Sequence, residues 1–180
     1  MEVSYQLGEE DFLAFQMFAA FKSKRITRRR KRGRVLMPLL LMATGLLFFS
    51  KGDTIMAAYF WGLSILVFLL YSKYLNWRYK KHYQSYVREN FKNRFGNEVS
   101  LEIGPKYISS KDPSGEGKVK TSEVHQLSET QEHFFIQFTS GVAVIIPKRS
   151  IDDLQHFKAG LRSAKLEVHD DLKWQGTLTI

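Results

Sequence analysis

Apolar Val3, Tyr5 and Leu7 alternate with polar Ser4 and Gln6, a period of two that predicts a short strand. Past Gly8 the period lengthens. Glu9, Glu10 and Asp11 open a segment that Lys22 and Lys24 close, and charges so placed complement a helix dipole. Within it Phe12, Phe15, Phe18 and Ala19 share one face, and Leu13, Met17 and Phe21 another, so this helix needs cover on both sides. Two uncharged runs follow, 35–50 and 55–72, with Lys51 and Asp53 the only charges between them. As a helix the first spans ~24 Å, short of a hydrocarbon core of about 30 Å, and Pro38 is expected in its first turn. The second is longer and free of proline, and Tyr59, Trp61, Tyr71, Tyr74 and Trp77 near its ends suit interfacial belts. Ala58 and Gly62, one helical turn apart, predict the face on which it meets its partner. Nothing breaks the pattern afterwards, so 76–95 continues as an amphipathic helix up to Gly96, a suitable C′ residue.

From Asn97 the period returns to two. Val99, Leu101 and Ile103 make one strand, Tyr107–Ser109 a second and 118–124 a third, with 111–117 (KDPSGEG) as a polar turn. His133–Phe138 and 142–147 bracket Thr139-Ser140-Gly141, a hairpin signal because Gly141 can adopt positive φ. Ser150, with Asp153 three residues on, predicts the start of a helix over 150–164. Its Ile151, Leu154, Phe157, Leu161 and Ala164 should cover a sheet face made by Phe134, Ile136, Phe138, Val144 and Ile146. Trp174, Leu178 and Ile180 suggest a final strand. The expected fold is α+β: a transmembrane helical hairpin plus a small antiparallel β-domain capped by a C-terminal helix. It divides into a strand, helix and basic collar (1–34), the hairpin (35–75), a juxtamembrane helix (76–96) and a β-rich domain (97–180).

Charge sharpens this picture. The net charge is +9, and residues 22–34 alone hold nine bases and no acid. They are Lys22, Lys24, Arg25, Arg28, Arg29, Arg30, Lys31, Arg32 and Arg34. Arg78, Lys80 and Lys81 add to the basic flank of the second run, whereas residues 95–180 carry more acids than bases. A nucleic-acid binder would place its basic stripe on the folded domain, so lipid is the expected partner and nucleic acid is not. Basic outer flanks and a neutral turn predict both termini on the cytoplasmic side. A cleaved signal peptide is not expected, because the basic stretch starts only at residue 22 and a second apolar run follows.

Candidate chemistry is sparse. With no cysteine, thiolate sites and disulfides are excluded. The five histidines lack metal-ligand spacing, and Ser114–Lys118 lacks the glycine and the hydroxyl residue of a phosphate loop. Glu129 and Glu132 read as a solvated strand edge. No catalytic, cofactor or metal residue is expected. The basic collar, with Arg78, Lys80 and Lys81, is expected to meet anionic headgroups at about 1 kcal/mol per near-surface base. Lys148 and Arg149, beside the hairpin, could serve an anion or a partner, although a solvated helix entry is the plainer reading.

The motifs Tyr5-Gln6-Leu7-Gly8-Glu9-Glu10-Asp11-Phe12, and Ser140-Gly141 followed by Ile146-Pro147-Lys148-Arg149-Ser150-Ile151, resemble the YcxB-like membrane proteins of bacteria. The resemblance implies an inner-membrane hairpin carrying a cytoplasmic, pleckstrin-homology-like domain with no catalytic residues. The leading expectation is therefore a non-enzymatic inner-membrane protein that presents an interaction domain to a protein or to lipid headgroups, with self-association left open. A membrane immunity or regulatory subunit recognising a toxin or a larger assembly is the alternative, and a membrane-bound enzyme the third.

Overall fold

In the computed structural model, which describes residues 1–113 and 115–178, the strand β1 (Glu2–Gln6) forms first and finds its partner only after both long helices. It pairs antiparallel with β2 (Glu98–Ile103), Tyr5 opposite Val99 and Val3 opposite Leu101. β3 (Tyr107–Asp112) and β4 (Gly115–Lys120) extend this into a four-stranded meander. A second sheet has the order β7-β6-β5-β8, from β5 (Val124–Glu129), β6 (His133–Phe138), β7 (Ala143–Pro147) and β8 (Val168–Asp170). Both sheets, with Met1–Phe15 and everything from Gln84 to Gly176, make one unit, so the N-terminal strand is part of the β-rich domain.

Strand β6 is buried on both faces. Phe134 packs on Phe157 of helix α4 (Leu154–Ser163), ring centroids 5.2 Å apart, while Phe135 points the other way, 5.5 Å from Phe15 of α1 (Glu9–Lys22). Phe134, Ile136, Phe138, Ile146, Phe157 and Leu161 form the core face expected from their spacing, but Val144 and Leu154 are only half-buried. Helix α4 begins later than the pattern suggested. Residues Lys148–Ser150 make a 3-10 turn, and Asp153 is itself the cap, its Oδ1 accepting from the amides of Gln155 and His156 at 2.9 Å.

Three strand assignments change. The turn after β3 is tighter than 111–117, β4 ends at Lys120, and Thr121–Glu123 is a 3-10 turn leading into β5. β5 lacks a clean alternation of apolar and polar residues, because its buried residues include Ser128 and Glu129 and its register slips between Val124 and Gln126. Among the described residues the last strand is β8, which adds parallel to β5, and residues 174–178 of the expected final strand are not strand. Trp174 and Leu178 are buried without being strand, and Ile180, like Ser114 of the phosphate-loop-like stretch, lies outside the described residues.

The other unit comprises Gln16–Tyr83 with Thr177 and Leu178. Ser23 interrupts the chain after α1 and caps α2 (Lys24–Ser50), its hydroxyl accepting from Ile26 N at 3.4 Å. The basic collar is thus the first turns of α2 itself, and Pro38 sits well inside the helix. Gly52, at φ 85°, makes the turn, and Asp53 Oδ1 accepts from Met56 N at 3.0 Å to start α3 (Thr54–Phe91), an unbroken 38-residue helix. At ~1.5 Å per residue α3 reaches about 57 Å, well beyond a hydrocarbon core. The helices meet along Ala57, Trp61, Ser64 and Tyr71, not along Ala58 and Gly62, which are exposed. Ser64 Oγ donates to Pro38 O at 2.9 Å, a buried bond that crosses from α3 to α2. A Cβ on Gly45 would lie 2.5 Å from Trp61 Nε1 and 3.2 Å from Ala57 O, so only glycine admits the crossing there.

Candidate functional site

The collar divides into an outward set and an inward pair. Lys24, Arg25, Arg28, Arg29, Lys31 and Arg32 on α2 are exposed, as are Arg78, Lys80 and Lys81 on α3. Lys22, the last residue of α1, lies 5.5 Å from the centroid of Phe18, and Lys81 the same distance from Trp77. Arg30 turns inward: it is buried and donates to Asn76 Oδ1 at 3.3 Å and to the Leu178 carbonyl. Arg34 is half-buried with its guanidinium 4.8 Å from the Phe68 ring. The spacing of Arg30 and Arg34 with buried Pro38 and Gly45 is the signal that they belong to the inter-helix seam. Beyond the collar both helices expose large apolar side chains. Val35, Leu39, Leu46 and Leu47 on α2, and Ile55, Ile65, Leu66 and Leu69 on α3, are each more than half exposed. Both helices are long and apolar enough to cross a membrane.

In the β-rich unit the charges turn inward in pairs. Asp11 in the first turn of α1 is 2% exposed. Arg149 grips it with both ends of its guanidinium, at 2.8 and 2.6 Å, His133 Nε2 donates to Asp11 Oδ1 at 2.8 Å, and Gly8 N to Oδ2 at 2.7 Å. Burial alone would raise the Asp11 pKa. The hydrogen bonds from His133, Arg149 and Gly8 and the Arg149 charge outweigh it and hold the carboxyl well below the usual range. Arg149 is raised in return, chiefly by its bond to Asp11. The carboxylate only accepts, so the His133 proton sits on Nε2 in this arrangement.

Glu129 is the second such centre. It is not on a solvated edge but 6% exposed, with Lys148 at 2.6 Å and Lys158 at 2.8 Å on one oxygen. Burial again pushes its pKa up, and the two lysines more than reverse this, leaving it lowered. Lys148 and Arg149, the pair offered for an anion or partner, are therefore each engaged by an internal carboxylate. Glu132 is exposed. A third pair, Glu9 with Arg88 at 2.8 Å and Gln84 at 3.1 Å, ties α1 to the end of α3. Phe12 stacks on Phe91 at 4.9 Å beside it.

Two concavities accompany these pairs. One, of about 310 Å³, is lined by Thr130, His133, Trp174 and Gln175, and the other, of about 740 Å³, by Glu129, Lys158, Arg162 and Lys165. Lys165 has φ 58°, taking the left-handed position after α4 that glycine usually fills. Leu166 N closes the turn onto Leu161 O at 3.1 Å, and burial of both leucines offsets that strain.

Residues 103–161 match the family described as YcxB-like protein, a stretch running from the end of β2 into α4. Over that stretch the chain is similar to the YcxB-like proteins. It holds Glu129, His133, Lys148, Arg149 and Lys158, whereas Asp11 and the hairpin lie outside it. No curated protein and no solved structure matches the chain.

Proposed function

We propose that the chain is a bacterial inner-membrane protein whose hairpin α2–α3 spans the bilayer and whose β-rich unit works in the cytoplasm as a binding module for a protein or lipid headgroups, without catalysis. The observation that carries this reading is the unbroken display of large apolar side chains on both helices between basic ends. In water such a surface would be a severe liability, being far larger than a soluble monomer tolerates. In lipid it is the ordinary state, and the bases at the outer ends set the orientation. The 35–50 stretch is short for a bilayer, and Arg34 can extend along Phe68 to reach the headgroup level.

A pleckstrin-homology-like role for the β-rich unit is supported by its order: a four-stranded meander, a second meander and then a helix on the second sheet. Binding, not turnover, is favoured because its buried ionisable groups are tied to one another in pairs. The exposed bases of α2 and α3 supply diffuse attraction to anionic headgroups. The test is a pair of fusions: a cytoplasm-active reporter after the last residue and a periplasm-active reporter in the turn at Gly52. Both should be active. Periplasmic activity at the C-terminal fusion would overturn the orientation, and recovery of the full chain in the soluble fraction would overturn the membrane assignment.

A further inference from the structure

One buried side chain of the β-rich unit has a polar atom that the internal pairs leave over. His133 is 4% exposed, and its Nε2 is engaged by Asp11 at 2.8 Å. Its ring stacks on Phe135, centroids 5.4 Å apart and planes 11° from parallel, which fixes the plane of the imidazole. The other nitrogen, Nδ1, meets no donor among the described residues, and it is not walled off from solvent. His133 lines the cavity of about 310 Å³, so Nδ1 opens into that cavity.

The cavity has a fixed floor and an open mouth. Thr130, at its floor, ties the turn before β6: its amide and hydroxyl donate to His133 O at 2.8 and 2.9 Å, and its Oγ1 accepts from His133 N at 3.1 Å. Trp174 forms a wall, held by its amide to Asp171 O at 2.9 Å, and the Asp171 amide is held in turn by Glu129 O at 2.8 Å. Ala14, three residues after Asp11 on α1, leaves room that a longer side chain would fill. Glu132 and Gln175, at the mouth, are exposed, so a group from outside can enter.

The charges select the kind of group. Arg149 already matches the Asp11 carboxylate with both ends of its guanidinium and does not line the cavity. A second buried cation at His133 would lack a counter-charge, so the imidazole is neutral and Nδ1, opposite the protonated Nε2, is an acceptor. Among the described lining residues only Glu132 carries a charge, and it is negative. The single hydroxyl there, on Thr130, is bonded to the His133 backbone, so Nδ1 has no nucleophile to activate. Acceptors without donors of comparable strength favour a compact cation that carries N–H groups.

We propose that this cavity binds a primary ammonium group, from a small amine or from the lysine side chain of a partner protein. One N–H donates to His133 Nδ1, Glu132 supplies the opposing charge at the mouth, and the alkyl stem lies along Trp174 and Ala14. Asp11 acts as a positioning residue by holding the imidazole proton on Nε2. This rests on the reading of the β-rich unit as a binding module and names the chemistry that it would recognise.

The full chain in neutral detergent, with ¹⁵N-labelled histidine, tests it by nuclear magnetic resonance. Butylammonium should shift the Nδ1 signal of His133 in a saturable way while the other four histidines hold still. Tetramethylammonium, a cation without N–H groups, and butyrate, an anion with the same stem, should not. Affinities of the variants are read from the signals of the probe. His133→Gln keeps an amide N–H for Asp11 but has no Nδ1, and it should weaken butylammonium about tenfold, the scale of one hydrogen bond to a charged group. Ala14→Leu should block entry by filling the cavity, and His133→Gln decides the matter if that variant fails to fold. A tripeptide with a central lysine and both ends blocked separates the sources: binding as tight as butylammonium assigns the site to a partner's lysine, and exclusion assigns it to a free amine. Equal binding of tetramethylammonium, a larger Nδ1 shift with butyrate, or undiminished binding by His133→Gln would overturn the proposal. No response to any probe while the reporter fusions remain active rejects the ammonium site alone and leaves the membrane reading standing.

Discussion

Asp11 does at the scale of one residue what the sequence around it could not announce. Its position in an acidic first turn reads as dipole complementation, yet its carboxylate is the anchor for Arg149, 138 residues away, and for buried His133. Asp11→Asn keeps the shape but removes the charge that both donors need. It should destabilise the chain by about 2 kcal/mol, the scale of a charged hydrogen bond lost from a buried site, as read by denaturant unfolding in detergent. Arg149 is exposed enough to recover water, which keeps the cost below that of a fully buried pair. The pH dependence has a definite sign. Asp11 and Glu129 both have lowered pKa values in the fold. Their contribution is therefore complete above the ordinary carboxylate range, about pH 4, and lost as pH falls below it through the folded values. Melting temperature should drop steeply below about pH 4, and Asp11→Asn should flatten that acid limb. The adjacency of Lys148 and Arg149 was legible, but which carboxylates they meet was not, because both partners come from other elements.

Elements with a strong period were legible, and those whose burial is polar were not. The β6–β7 hairpin and α4 follow from alternation and helical spacing, since their apolar residues alone decide which side faces the core. β5 is different: Ser128 and Glu129 are buried in it because other elements satisfy them, so its sequence looks like a loop. The hairpin seam was misplaced for a related reason. Small residues mark where helices can approach, and both Ala58/Gly62 and Gly45/Ala57 qualify. Only the ring of Trp61 lying on Gly45 decides between them. Gly45→Val should consequently weaken the hairpin, since neither a ring nor a backbone carbonyl can yield enough room, at a cost of about 1–3 kcal/mol for overpacking. Gly62→Ala, with open space around it, should be neutral or stabilising by up to ~1 kcal/mol through helix propensity. Resistance to unfolding in a graded sodium dodecyl sulfate titration separates the two. In the β-rich unit, Phe157→Ala removes the ring that covers Phe134 and should cost about 3–5 kcal/mol. An unchanged unfolding curve would mean that α4 does not hold the second sheet.

For the molecule as a whole, the distribution of charge matters more than its sum. The bases of α2 occupy the N-terminal turns, where the helix dipole disfavours them, so helix stability does not account for their position, whereas the orientation proposed above would. Replacing the exposed Arg28, Arg29 and Arg32 with glutamate removes three positive charges and adds three negative ones beside the first apolar run. The expected outcome is a mixed or inverted orientation, with part of the C-terminal reporter signal moving to the periplasmic side. Arg30 is left in place in that variant, so loss of orientation is not confounded with loss of the inter-helix seam.

The sheet also imposes an order of events during synthesis. β1 and β2 are neighbours, closed at their ends by Gly96 N donating to Leu7 O at 2.9 Å, yet the entire hairpin is translated between them. The first strand therefore leaves the ribosome long before its partner exists and must wait, unpaired, while two apolar helices are made. Only then can the domain close around a strand that has been joined to the head of the hairpin since the start. Stalled chains ending before Glu98 should accordingly show Val3 and Tyr5 open to protease, and chains long enough to free β3 from the ribosome should protect them.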